Sequence, residues 1–357
     1  MAAIDSFEFL LKEILQVFST GRDAFAILGA VYTASKAISI SRCILTALND
    51  HFLSRLRRQS DLKTKFGRWA VVTGSSEGIG KAYAQELASH GVNIILISRG
   101  ERRLFKTAKE IEEQFHVETC CIAADFSKGM EIYAKVMKAI GDKEVGILVN
   151  NVGVMYDYPQ LFLDVPAERL WQLIHINVAA ATMMTHGLLP QMVQRKRGAV
   201  VMVSSGACSQ ITPQMTIYAA TKSFLDYFAR SLHYEYKSKG VLVQSLMPFY
   251  VATRMTQYSE TLSCTNFFIP TASGYARSAV STLGVSSRTS GFFPHTIMSW
   301  IANLVPEGMW MWGSSRLNEA LRAQALHRLK QQSAGRLAQS ASDQALDIID
   351  SGTSTPS

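Results

Sequence analysis

The run Thr73-Gly74-Ser75-Ser76-Glu77-Gly78-Ile79-Gly80 follows a short β-branched segment, Trp69–Thr73, and opens a helical pattern. A strand that turns through glycines at this spacing straight into a helix leaves few folds open. Gly74 permits the tight turn, Gly78 lets the backbone approach a diphosphate, and Gly80 allows the helix to pack close on the strand. Ser75, Ser76 and Glu77 complete the turn, and the helix starting near Ile79 offers unpaired N–H groups and a positive dipole end to an anion. A glycine run alone is equally consistent with a turn that binds nothing. The strand–turn–helix setting is what favours a dinucleotide.

Beyond that turn, near-continuously apolar runs at 93–98, 117–123, 145–149, 199–204 and 241–247 read as strands buried on both faces. Helical periodicity at 81–89, 102–114, 168–194 and 218–237 fills the gaps. Alternation of this kind predicts an α/β fold: a single Rossmann-type doubly wound parallel sheet with helices on both faces, over 68–330. Residues 1–67 form an apolar and basic extension. The tail 331–357 is dominated by Ser, Gln, Ala and Asp, and is expected to be disordered. The stretch 291–316, rich in Trp, Phe and Met, could line a lipid cavity, lie in a membrane interface, or complete the core.

Candidate binding residues fall at the expected C-terminal ends of strands. Arg99 follows the second strand, with Arg102 and Arg103 close behind. A carboxylate there would repel a ribose 2′-phosphate, whereas a guanidinium pairs with one, so NADP(H) is favoured over NAD(H). Asp125 closes the third strand, where its carboxylate can accept from an adenine amino group. Asn151, within the run 150–153, ends the fourth, beside the adenine ribose. Tyr218 and Lys222 lie four residues apart on one helix face. A lysine ammonium at that range is expected to lower the tyrosine pKa and make the phenol a usable general acid near neutral pH.

Taken in order, these motifs resemble the short-chain dehydrogenase/reductase family over about 68–316, and within it the branch of 17-beta-hydroxysteroid dehydrogenase type 3 and very-long-chain 3-oxoacyl-CoA reductase. GRWAVVTG, GKAYAQELA, NNVG, VSSGA and the proline turn PFYVAT carry the likeness. The resemblance implies NADP(H)-dependent interconversion of a ketone and a secondary alcohol on a hydrophobic small molecule, such as a steroid or a 3-oxoacyl-CoA. It assigns the proton donor to Tyr218 and the nicotinamide-ribose contact to Lys222. The carbonyl-binding serine falls to Ser205, preferred over Ser204 for its spacing, and the helix-kinking asparagine to Asn177. Val251 and Thr253 bracket the nicotinamide amide. Glu77 departs from the pattern, since some NADP-preferring relatives carry a basic residue there, which leaves Arg99 to set cofactor choice. Hydroxysteroid dehydrogenase-like members of the branch can carry Phe at the tyrosine position and so lack the acid; this chain keeps the phenol. A catalytically silent NADP(H)-binding sensor or scaffold is therefore the competing function.

A net charge of +8 suits an anionic cofactor, an acyl-CoA or a membrane surface. No basic block interleaved with aromatics occurs, and no nucleic-acid motif, so nucleic acid is not an expected partner. The five cysteines lack CxxC spacing, which argues against a structural zinc, and no catalytic metal is needed for cofactor-borne hydride chemistry. In the extension, Lys36 and Arg42 interrupt the apolar run from Ala24, so no stretch reads as a confident span. A pair of membrane-adhering or targeting helices is expected instead, addressed to the mitochondrion or, alternatively, the endoplasmic reticulum membrane. A homodimer through the stripe Phe224, Leu225, Phe228 and Leu232 is an open alternative to that stripe being core.

Overall fold

A computed structural model describes residues 2–54 and 62–352. The elements run α1 (Ala2–Leu48), α2 (Leu62–Phe66), β1 (Trp69–Thr73), α3 (Gly78–Ser89), β2 (Asn93–Ser98), α4 (Glu101–Phe115), β3 (Thr119–Ala123), α5 (Glu131–Ile140) and β4 (Val145–Asn150). They continue through α6 (Ala167–Ile174), α7 (Ala180–Gln194), β5 (Gly198–Val203), α8 (Thr216–Tyr236), β6 (Val241–Leu246), α9 (Glu260–Ser263), α10 (Ala272–Ser281), β7 (Arg288–Thr289), α11 (Phe293–Leu304) and α12 (Glu307–Gly352). All seven strands are parallel, in the order β3-β2-β1-β4-β5-β6-β7. Order reverses between β1 and β4, the point at which such sheets bind ligands.

The sheet is buried because both faces are covered. Ala70, Val72, Ile94, Leu96 and Val201 face α3, α4 and α10, while Val71, Ile95, Leu148, Val200 and Val243 face α5, α7 and α8. Alternate residues of one strand therefore feed two separate cores, and both must be apolar. On α8, Leu225 and Leu232 belong to the second core, whereas Phe224 is partly exposed and stacks on Phe228 with ring centres 5.5 Å apart. Two of the four residues in the candidate dimer stripe are thus core.

The helix expected over 168–194 is interrupted by a π-turn, His175–Ala179, which separates α6 from α7. Three further departures matter. Within the N-terminal extension α1 runs unbroken past Lys36 and Arg42, and part of the second expected helix, over 53–65, lies outside the described residues at 55–61. Lysine and arginine break hydropathy but are good helix formers, so Lys36 and Arg42 leave the hydrogen-bond ladder intact. Its segment Ser6–Leu53 contains an 18-residue window of mean hydropathy 1.4, none of it buried, and is the one helix among the described residues long and apolar enough to cross a membrane. Beyond Lys330, where no order was expected, α12 continues to Gly352; Ala and Gln, both good helix formers, recur along that run even without an apolar stripe. Residues 353–357 of that tail lie outside the described residues. The two-residue β7 is too short for a pattern to reveal it.

One buried carboxylate ties α8 to the far edge of the sheet. Asp226 accepts hydrogen bonds from Ser245 Oγ at 2.6 Å and from Arg288 Nε at 3.0 Å on the same oxygen, and from Arg288 Nη2 at 3.2 Å on the other. Burial works to raise its pKa, but the Arg288 and Ser245 hydrogen bonds prevail and hold the carboxyl below the usual carboxylate range. Asp226→Asn should therefore destabilise the fold by about 1.5–3 kcal/mol at neutral pH in urea denaturation. The deficit should shrink as pH falls below the ordinary carboxylate value, where the wild-type group also becomes protonated.

Candidate active site

The glycine turn is a backbone cradle held from below. Gly74 (φ +67°) and Gly78 (φ +61°) occupy left-handed geometry that a side chain would strain. Gly80 has no room for a Cβ, which would stand 2.3 Å from Asn151 Nδ2 and Gly74 O. Asn151 buttresses the turn, donating through Nδ2 to Thr73 O at 2.9 Å and Gly74 O at 3.2 Å. Ser76 Oγ lies 2.8 Å from Ser98 Oγ, and Ser75 is fully buried with its hydroxyl on Ile97 O. The N-terminus of α3 carries no side-chain cap, so its N–H groups remain available to an anion.

A cavity of about 450 Å³ opens along this turn and runs past the ends of β2, β4, β5 and β6. It is lined by all but one of the expected cofactor residues: Gly74, Ser76, Glu77, Gly78, Ile79, Gly80, Arg99, Asp125, Asn151, Tyr218, Lys222, Val251 and Thr253. Ser75 is the exception, because it lies beneath the turn. At the adenosine end, Asp125 accepts from Ser127 N at 3.1 Å and Ser127 Oγ at 2.8 Å. Burial opposes ionisation there, yet the Ser127 hydrogen bonds and the Arg99 charge keep the carboxyl below its ordinary pKa. Glu77 Oε2 accepts from Arg103 Nη1 at 3.2 Å and from Arg254 Nη1 at 3.1 Å. The sequence indicated Arg99 for this end. It placed Arg103 close behind Arg99, whereas the contribution of Arg254 had no signal in it beyond its charge.

The catalytic end is assembled from α6–α7, β5 and α8. Asn177 is fully buried in the π-turn, where its Oδ1 accepts from Val154 N at 2.8 Å. Its Nδ2 donates to Val154 O at 2.9 Å and to Thr221 Oγ1 at 3.0 Å. A widened turn that bonds a neighbouring loop instead of its own ladder is the local form of the expected kink. Ser204 is spent structurally, its hydroxyl donating to Lys222 O at 2.6 Å. Ser205 adjoins it, near enough to the Tyr218 phenol to offset part of the effect of burial on that group, and its Oγ accepts from Ala207 N at 3.2 Å. Lys222 Nζ donates to Val203 O at 2.9 Å and sits 5.8 Å from the centre of the Tyr218 ring. Gly153 keeps the space above it open, since a Cβ there would lie 3.3 Å from Lys222 Nζ and 3.4 Å from Asn177 Oδ1. Tyr218, Lys222, Ser205 and Asn177 thus meet at one place.

Their protonation differs from the sequence expectation. Burial dominates both groups: it pushes the Tyr218 phenol up to about 12 and the Lys222 ammonium down to about 8. The lysine does not lower the phenol pKa in this arrangement, because desolvation of both groups outweighs attraction and the ammonium is held by a backbone carbonyl. Tyr218 is therefore a neutral phenol at physiological pH, with its proton in place to donate. Lys222 exchanges its own proton close to neutrality.

Farther along, the cavity becomes apolar. Met155, Met215, Tyr250, Tyr258, Met298 and Trp310 line it. The α12 helix closes this end. Asn318 Nδ2 donates to Pro213 O at 2.7 Å, and Arg322 pairs with Asp164 at 2.8 Å. Part of the aromatic stretch 291–316 is therefore cavity wall. Tyr250, Tyr258 and the α12 residues Leu317 and Asn318, beyond that stretch, had no signal, because no periodic pattern marks a loop or a distant helix as facing a ligand. No metal-ligating group of His, Cys, Asp and Glu is found among the described residues.

A glycine cradle at a sheet switch point, followed by a Ser–Tyr–Lys–Asn cluster, is the arrangement of a short-chain dehydrogenase. Residues 68–262 match that family, and the chain belongs to it. Over 326 residues it is 50% identical to the human inactive hydroxysteroid dehydrogenase-like protein 1, covering 91% of this chain and 99% of that one. It is 44% identical over 264 residues to the very-long-chain 3-oxoacyl-CoA reductase of Anas platyrhynchos, covering 73% of this chain and 83% of the relative. Among solved structures, a short-chain dehydrogenase from Sphingobium yanoikuyae in complex with NADPH matches with a TM-score of 0.55 and 27% identity. That match covers 59% of this chain and 82% of the other.

The buried ammonium has a measurable consequence. With its pKa lowered from 10.5 to about 8, Lys222 is a charge the fold carries at a penalty below pH 8. Between pH 8 and 10.5 the unfolded chain keeps a proton that the folded chain has lost, so stability rises with pH across that window. Lys222→Met should be more stable than wild type by about 1–3 kcal/mol at pH 7, once the lost Val203 hydrogen bond is set against the desolvation relieved. Denaturation midpoints should show that gap closing as the pH is raised through the same window.

Proposed function

We propose that this chain is an NADP(H)-dependent oxidoreductase that reduces a ketone, or oxidises the corresponding secondary alcohol, on a hydrophobic lipid such as a steroid or a 3-oxoacyl thioester. One observation carries the reading. A neutral, buried Tyr218 phenol, with Ser205 beside it, sits where the glycine cradle meets an apolar cavity. The dinucleotide fits the residues present, since Gly74, Gly78 and Gly153 leave backbone rather than side chain along the crevice and the α3 N-terminus faces it. Relatives that bear on the substrate are the hydroxysteroid dehydrogenase-like and 3-oxoacyl-CoA reductase proteins.

When bound, NADPH supplies the hydride; the chain supplies position and the proton. Ser205 and Tyr218 hold the substrate oxygen between two hydroxyl donors, which stabilise negative charge as it develops there. Tyr218 Oη gives its proton to that oxygen, a step that contributes about 10²–10⁴-fold when the acid is well placed. Lys222, with its ammonium pKa lowered to about 8, returns a proton to the tyrosinate left behind. Asn177 fixes the loop at Val154 and the α8 residue Thr221, so the distance between cofactor crevice and acid does not drift. Methionine and tyrosine walls exclude water from the reacting centre.

A second reading, a silent NADP(H)-binding sensor or scaffold, draws its support from the relative named as inactive. The tyrosine decides between them. Purified wild type should oxidise NADPH against a panel of steroids, retinoids and 3-oxoacyl-CoAs, and Tyr218→Phe should lose most turnover with NADPH affinity nearly unchanged. NADPH-dependent thermal stabilisation of wild type without turnover on any of these would instead support the silent reading.

We also place the chain on an organelle membrane through α1, mitochondrial in the first instance and endoplasmic reticulum as the alternative. Supporting this are the unburied apolar window and the basic residues Lys36, Arg42, Lys63 and Lys65 near its exit. Residues 1–67 fused to a fluorescent protein should localise to one of these membranes, and a diffuse cytosolic signal would reject both.

A further inference from the structure

The apolar end of the cavity carries two phenols that the fold does not use. Tyr250 and Tyr258 line it together with Tyr218. Their rings pack against Leu262, Ile269 and the α12 residue Leu321, which fix them from behind. Neither hydroxyl has a hydrogen-bond partner among the described residues, and neither oxygen is sealed within the packing. Two other buried tyrosines are committed: Tyr275 donates to Ser290 O at 2.9 Å, and Tyr156 accepts from Ile217 N at 3.1 Å. A hydroxyl enclosed without a partner is costly. Two of them on a wall otherwise built of methionines and Trp310 favour a ligand that brings its own acceptor.

The surrounding contacts locate that acceptor. The loop Pro248-Phe249-Tyr250 leaves β6 beside Gly206, whose N donates to Pro248 O at 2.8 Å. The Phe249 ring covers Gly206, standing 2.8 Å from where a Cβ would lie. Tyr250 therefore follows directly on a loop that adjoins Ser205, the residue beside the reacting carbonyl. Fully buried His295 holds this loop, its Nδ1 accepting from Phe249 N at 3.3 Å and its Nε2 lying 3.0 Å from Phe268 O. Burial raises the pKa of all three phenols; the nearness of Tyr250 adds to the rise at Tyr218, and that of both adds to the rise at Tyr258. Three phenol oxygens close enough to sense one another's charge share one region of the cavity.

We propose that Tyr250 and Tyr258 form a second carbonyl site, selecting ketones that carry another acceptor oxygen close to the reacting one: a 1,3-dicarbonyl, such as a 3-oxoacyl thioester. Ser205 and Tyr218 take the ketone oxygen, and Tyr250 and Tyr258 donate to the thioester oxygen next to it. A rigid ring ketone whose other oxygen stands at the opposite end of the molecule leaves both phenols unpaired and is disfavoured. The proposal rests on the oxidoreductase reading and narrows its substrate class to the dicarbonyl.

The test uses a matched pair of ligands: the 3-oxododecanoyl thioester of N-acetylcysteamine, and the thioether in which its second carbonyl is a methylene. Binding to full-length protein in excess NADP+ is read by tryptophan quenching, since Trp310 lines the cavity and the oxidised cofactor permits no reduction. NADPH oxidation gives kcat/KM for the same pair. Wild type should bind the thioester at least about tenfold tighter than the thioether. Tyr250→Phe and Tyr258→Phe keep the rings; each should weaken the thioester by about three- to tenfold and leave the thioether within about twofold. The double variant should bring the two ligands level, whereas a merely structural role would weaken both alike. A thioester-to-thioether ratio unchanged in the double variant, or a wild type that does not distinguish the pair, overturns this proposal; NADPH oxidation in that case leaves the oxidoreductase reading standing. Selective binding that the double variant abolishes, with no NADPH oxidised, upholds the second carbonyl site and overturns the oxidoreductase reading.

Discussion

Lys222 is a cation carried almost wholly out of water, with 5% of its surface exposed, and the architecture around the site follows from having to accommodate it. A buried ammonium needs acceptors and a tuned environment, or it loses its proton. The end of β5 supplies Val203 O at 2.9 Å, and the next residue, Ser204, secures the lysine's own carbonyl. Helix α8 is thereby fixed against β5 at the level of the cavity, and Tyr218, one turn earlier, can only project into it. Asn177 completes the arrangement by tying the π-turn, the loop after β4 and α8 together. The lowering of the lysine pKa to about 8 is the result of this enclosure.

Protonation is also where this chain and its relatives bear on each other. Relatives at about half identity include one named inactive, and this chain retains both the phenol and the amine. Since burial raises the Tyr218 pKa, the enclosed site keeps the phenol protonated, as ketone reduction requires. The cavity beyond it is a cleft between loops and α12, not part of the sheet. Its shape is set by those loops and by α12, and substrate choice belongs to them rather than to the fold.

Much of the scaffold was legible. Six of the seven strands were anticipated to within two residues at each end, because strands buried on both faces are apolar at every position and stand out from amphipathic helices. The glycine turn, Asn177, Ser205, Tyr218 and Lys222 were legible as an ordered set. The π-turn was anticipated only as a kink implied by resemblance. The strand β7 and the extent of α12 were not legible, since two residues carry no period and the tail beyond Lys330 has no apolar stripe to mark a helix.

What the sequence determined by itself is order: which motif ends which strand, and that the strands run parallel about a dinucleotide crevice. This follows from short-range physics, in which period, glycine geometry and helix ends are properties of a few neighbouring residues. Tertiary structure alone decided the electrical state of the site and its far wall. Whether burial or a neighbouring charge governs the Tyr218 proton depends on how much water the assembled layers exclude. The meeting of Glu77, Arg103 and Arg254 on one oxygen depends on where distant segments come to rest. Desolvation and long-range ion pairing are set by the packed chain, so no local pattern encodes them.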